Sequence, residues 1–106
     1  MRQTLTENHR VDADGNPTGG ATHGLDISIG WQDGPLGRGD ERREPNGAFV
    51  EGVIAAALGR LQRYQATKFK CRENALAITK LEEALHWLDH RTADREQRAV
   101  EGTHAS

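Results

Sequence analysis

Cysteine is nearly absent: Cys71 stands alone among 106 residues. A single thiol excludes an internal disulfide and a cysteine-rich zinc site. Aromatic residues make up 5% and hydrophobic residues 35%, with a mean hydropathy of -0.78. Small domains bury a modest share of their surface, so the core should be thin or completed by a second copy of the chain. No apolar run approaches the roughly 18 residues that a membrane span requires. No basic start followed by an apolar stretch is present, so no secretory signal is visible and an intracellular, reducing setting is expected. Neither sign of charge dominates. A net charge of -2 and a pI near 6.2 argue against a DNA or RNA coat but leave room for a small anionic ligand.

Proline and most of the glycine sit in the first part of the chain, residues 1–46, and proline is missing from residues 47–106. The first part therefore reads as strands and loops and the second as helices. Leu25, Ile27, Ile29 and Trp31 alternate with Asp26, Ser28 and Gly30, the period of a half-buried strand ended by Gln32-Asp33-Gly34-Pro35. Arg2 to Thr6 reads as a weaker strand, and Asp12 to Gly24 as a long hairpin loop. Residues 37–46 form a charged loop, and Asn46 is a candidate N-cap.

Val50, Val53, Ile54, Ala57, Leu58 and Leu61 follow helical spacing, predicting a helix to about Gln65. Asn74, Ile78, Leu81, Leu85 and Leu88 step by four and three, the spacing of a helix seam or a subunit interface. This second helix should start near Cys71 or Arg72 and reach about Ala99. At the α-helical rise, that is a length of roughly 40 Å. The fold class predicted is α+β: a small N-terminal antiparallel sheet or hairpin, then a long antiparallel two-helix hairpin with a C-terminal tail, in one oligomeric domain.

Arg91, Arg95 and Arg98 share one face of the second helix, with Trp87 one turn earlier. The planar guanidinium suits phosphate because it offers two donors to two oxygens. The plainer reading is a solvated face paired with Asp94 and Glu96. Tyr64 and Phe69 bracket the connector between the helices, and Asn74 follows. An aromatic ring with an amide can stack on a purine and read its edge; equally, Tyr64 can close the hairpin's small core and Asn74 cap the second helix.

Other motifs fail on chemistry. Asp12-Ala13-Asp14-Gly15-Asn16 begins like a calcium loop, but Pro17 and His23 fall where glycine and glutamate belong. Gly34, Gly37 and Gly39 lack a P-loop lysine, and His86 and His90 lack the glutamate of a zinc helix. Arg38-Gly39-Asp40 matches an adhesion tripeptide that is frequent by chance. No serine elbow or cysteine dyad is present. No enzyme, metal or cofactor is predicted.

Several words stand out: Ile29-Gly30-Trp31-Gln32-Asp33-Gly34-Pro35-Leu36-Gly37, Pro45-Asn46-Gly47-Ala48-Phe49-Val50-Glu51, Cys71-Arg72-Glu73-Asn74-Ala75 and Leu81-Glu82-Glu83-Ala84-Leu85. With Arg60-Leu61, Tyr64-Gln65, Arg91-Thr92-Ala93-Asp94-Arg95 and Val100-Glu101-Gly102-Thr103-His104, they cover about residues 24 to 104. In order and spacing they resemble the first-described Thoeris anti-defence family of phages, which shares a helical hairpin with the anti-CBASS proteins. The resemblance implies a sponge in the cytoplasm of the infected bacterium. It would bind a cyclic ADP-ribose isomer without cleaving it, and cyclic di- or trinucleotides in a second pocket. It also implies dimers, or hexamers built from dimers, with pockets between subunits.

Residue by residue, the resemblance makes Tyr64 the purine-stacking ring, in a position where other members often carry phenylalanine. Asn74 becomes the pocket amide, and Arg91 and Arg95 the pyrophosphate ligands. Arg38, Arg42 and Arg43 become loop candidates for the same ligand. Arg98, Gly102, Thr103 and His104 are expected at the second pocket. The alternatives are a sponge for CBASS nucleotides only, or a structural phage assembly protein.

Overall fold

Gly20 decides the path of the first strands. A Cβ there would collide with the Asn8 carbonyl oxygen, and its φ of +143° is unfavourable for any side chain. Only glycine lets the second strand run this close to the first. The result is a three-stranded antiparallel sheet in the order β1-β2-β3, with β1 at Thr6–Val11, β2 at Pro17–Gly24 and β3 at Ile27–Trp31. The computed structural model describes residues 4–34, 36–37 and 39–97.

Two expectations change here. The predicted hairpin loop from Asp12 to Gly24 is mostly β2, and the first strand covers Thr6–Val11; of the expected strand from Arg2 to Thr6, Thr4 and Leu5 precede it and Arg2 and Gln3 lie outside the described residues. Pro17-Thr18-Gly19-Gly20-Ala21-Thr22-His23-Gly24 has almost no strand propensity. It is a strand because both neighbours pair with it. The true turn is short. The Asp12 carboxylate accepts the N–H groups of Asp14 (2.8 Å) and Asn16 (3.0 Å). Leu25 also departs from expectation: it sits at the β2–β3 turn, 76% exposed, beside Asp26 in the left-handed region at φ 58°.

Glu7, Thr22 and Ile29 lie opposite one another on one face of the sheet. Two residues along, so do His9, Gly20 and Trp31. The Trp31 indole N–H donates to the Thr22 hydroxyl at 2.8 Å. Thr22 is the one buried side chain among the described residues, and no apolar side chain among them is buried. Ala48 bridges to Trp31 in parallel before the first helix begins.

The chain divides into two compact units, the first ending at Phe49 and the second spanning Val50–Gln97. The second unit consists of helices α1, Val50–Gln65, and α2, Arg72–Gln97. They hold 16 and 26 residues. With a rise of about 1.5 Å per residue, α1 is about 24 Å long and α2 about 39 Å. Asn46 does not cap α1, which starts four residues later; its side chain is bonded to Asp33 instead. Thr67 closes α1, donating its hydroxyl to the Tyr64 carbonyl at 2.6 Å. Gln65 spans the connector, accepting the Cys71 N–H at 2.9 Å and donating to the Cys71 carbonyl at 3.1 Å.

The seam expected on α2 is present. Asn74, Ile78, Leu81, Leu85 and Leu88 are all half-buried, and so are Ile54, Leu58 and Leu61 on α1. Two helices cover only one side of each other. Leu76 and Trp87 therefore stay exposed. So do Val50 and Ala57, which helical spacing alone assigns to the buried face of α1.

Candidate functional site

The four-three step of the α2 seam continues beyond its last leucine. Leu88 is followed by Thr92 and then Arg95, both half-buried. A guanidinium thus occupies a position where the pattern asks for an apolar side chain. Arg91, one turn earlier, is exposed on the flank. Burying part of a guanidinium costs free energy unless it meets hydrogen-bonding or anionic partners, so this end of α2 is polar by construction.

At the other end of the hairpin, Tyr64 lies in the last turn of α1, 39% exposed. The phenol oxygen accepts the Arg60 Nε–H at 3.0 Å, and the Arg60 guanidinium carbon lies 4.9 Å from the ring centroid. Arginine over an aromatic face is an attractive pair. Arg60 was not singled out from the sequence as a site residue. The signal was available, because residues four apart on a helix are neighbours.

Asn74 stands in the first turn of α2, half-buried. The capping role open to it belongs instead to Cys71, whose sulfur accepts the Asn74 N–H at 3.4 Å. The Asn74 side-chain amide makes no hydrogen bond to the described residues. A half-buried amide with open donor and acceptor positions is suited to a base edge.

These two groups do not meet within one chain. Arg91 lies seventeen positions beyond Asn74 along one continuous helix. At the α-helical rise, that is about 25 Å along the axis. Tyr64 and Asn74 belong to the connector end and Arg91 and Arg95 to the far end, and one small nucleotide cannot reach both. Among the loop arginines, Arg42 and Arg43 lie in the first unit, and Arg38 is outside the described residues. Arg98, Gly102, Thr103 and His104 also lie outside them.

Trp87 is 60% exposed and flanked edge-on by His86 and His90, with ring centroids 5.7 and 5.9 Å away. No group of three or more metal-ligating side chains occurs among the described residues. None of the helices they form is long and apolar enough to cross a membrane.

Comparison with known proteins finds both a matching family model and a similar relative. The family model "Acb2/Tad1, hairpin domain" matches residues 25–93. "Thoeris anti-defense 1" of Bacillus phage SBSphiJ7 is 53% identical over 77 residues, which are 73% of this chain and 51% of the relative. The matched segment thus spans about half the relative's length.

Proposed function

The chain belongs to the Acb2/Tad1 hairpin family, and from that membership we infer a phage anti-defence sponge. It binds a cyclic ADP-ribose isomer and withholds it without cleavage. Tyr64 stacks on the purine, the Asn74 amide reads its edge, and Arg91 and Arg95 grip the pyrophosphate. Arg43 adds a further guanidinium from the loop. Cyclic di- or trinucleotides are a second ligand class, held by the segment from Arg98 to His104.

The observation that carries this reading is the composition of the hairpin's two ends. One end has a ring, a guanidinium and an unengaged amide, as Tyr64, Arg60 and Asn74. The other carries Arg91 and Arg95 one turn apart, Arg95 in the seam. Because about 25 Å separates them, the pocket takes one end from each of two copies of the chain. The thin seam and the exposed Leu76 and Trp87 favour such an assembly.

The energetics are sufficient. Charge-assisted bonds from arginine to phosphate contribute about 1.5–3 kcal/mol each, and stacking on a base about 1–3 kcal/mol. A cyclic ligand loses little conformational freedom on binding. Nanomolar affinity, about -12.3 kcal/mol, is within reach of that sum.

The direct test is to saturate the protein with a cyclic ADP-ribose isomer, denature it and recover the ligand. Intact ligand supports sequestration, and a linear product overturns it. Arg91→Ala and Arg95→Ala should each weaken binding at least tenfold, or about 1.4 kcal/mol. Mixing Tyr64→Ala and Arg95→Ala chains and letting them co-assemble tests the shared pocket. Recovery of a fraction of tight sites is expected, and no recovery would put each pocket within one chain. Binding of cyclic trinucleotides alone would favour the CBASS ligand class.

A further inference from the structure

Gln32 stands at the neck of the loop that carries Arg42 and Arg43, and both atoms of its amide are used. Its Oε1 accepts the Asn46 N–H at 2.9 Å. Its Nε2 donates to the Gly34 carbonyl at 3.2 Å and the Asp33 carbonyl at 3.4 Å. Asn46 answers across the neck: its Oδ1 accepts the Asp33 N–H at 2.8 Å, and its Nδ2 donates to the Asp33 carbonyl at 3.3 Å. A backbone row anchors this clasp to β3. The Gln32 N–H donates to the Ala48 carbonyl at 2.9 Å, and the Ala48 N–H to the Gly30 carbonyl at 2.7 Å. Gly47 makes room for it, since a Cβ there would lie 2.5 Å from the Trp31 carbonyl oxygen.

Inside the loop, the Arg43 N–H donates to the Leu36 carbonyl at 2.6 Å. A Cβ built on Gly34 would lie 3.5 Å from the Arg43 Nη2, so the guanidinium lies beside Gly34. Gly34 is the residue whose carbonyl Gln32 holds. Hydrogen bonds therefore join Asn46, Gln32 and Gly34, and the Arg43 guanidinium lies beside the last of them.

We propose that Gln32 and Asn46 are positioning residues for the Arg43 guanidinium, holding it ready for a phosphate group. The proposal rests on the function given above, in which Arg43 contacts the ligand. An arginine on a free loop loses conformational freedom when it binds. The clasp removes that freedom on folding instead, so the ligand meets a preset donor. A merely structural role for the clasp would act equally whether or not residue 43 carries a guanidinium.

Calorimetry on the full chain, with a cyclic ADP-ribose isomer as the probe, separates these cases. Gln32→Glu keeps the shape and the acceptor but removes the donor to Gly34. Asn46→Asp does the same on the other side of the neck and serves if the first variant folds poorly. Arg43→Ala should weaken binding about tenfold, and either clasp variant about fivefold. In the Arg43→Ala background the clasp variants should cost nothing further, because they act through the missing group. Additive losses overturn the proposal, and so does full affinity of both clasp variants where Arg43→Ala is weakened. Full affinity of Arg43→Ala overturns the assignment of Arg43 to the site and this proposal with it. Trypsin reads the clasp without ligand: cleavage after Arg42 and Arg43 should quicken in both clasp variants, and unchanged cleavage overturns the clasp.

Discussion

The β unit holds its shape through single contacts that admit one residue type, whereas the helical hairpin repeats one modest contact along its length. Gly20 against Asn8, Trp31 against Thr22 and Gln32 against Asn46 each occur once. On α1 and α2, half-buried aliphatic residues recur every three or four positions, and each can be weakened without removing the rest. Specific polar and steric contacts can hold a loop in one geometry with almost no core. A repeated seam can hold two helices together while leaving their outer faces free for another copy. Under the proposed function, the anchored loop presents one guanidinium and the hairpin shares its ends between copies.

The sharpest way to break this contrast is Gly20→Ala. The added Cβ meets the Asn8 carbonyl in a backbone conformation that alanine disfavours. A loss of about 3 kcal/mol or more is expected, visible in thermal unfolding as loss of the sheet while helical circular dichroism persists. Leu85→Ala probes the distributed side. Fully buried leucines cost about 2–5 kcal/mol when truncated, so this half-buried one should cost about 1–2 kcal/mol by urea denaturation, with the helices still formed. Trp31→Phe sharpens the comparison with the smallest change. It removes the bond to Thr22 together with the pyrrole part of the ring and should cost about 1 kcal/mol. If Leu85→Ala proves more damaging than Gly20→Ala, the contrast between single and distributed contacts is wrong.

The hairpin was legible because helix periodicity is local. The leucine and isoleucine positions of α2 needed no knowledge of distant residues, and α2 starts at Arg72 as expected, while its predicted end near Ala99 lies outside the described residues. The strands were less legible. Only Ile27–Trp31 carried an alternating pattern. The flanking β2 takes its conformation from pairing and from glycines that propensity counts against it. Asn46 illustrates the same limit at a single residue. An asparagine before a helix has the chemistry of a cap, and the choice between capping α1 and clasping Asp33 depends on where β3 lies. Residue type marked Tyr64, Asn74, Arg91 and Arg95 as suited to a nucleotide, but spacing along two helices separates them into two groups.

Local periodicity and side-chain chemistry, both contained in the sequence, determined that two helices exist and which groups can meet a base or a phosphate. Tertiary structure decided where β2 runs and what Gln32 and Asn46 bind. Those outcomes depend on which distant backbone groups approach one another, and a close approach leaves no periodic trace in the chain that makes it.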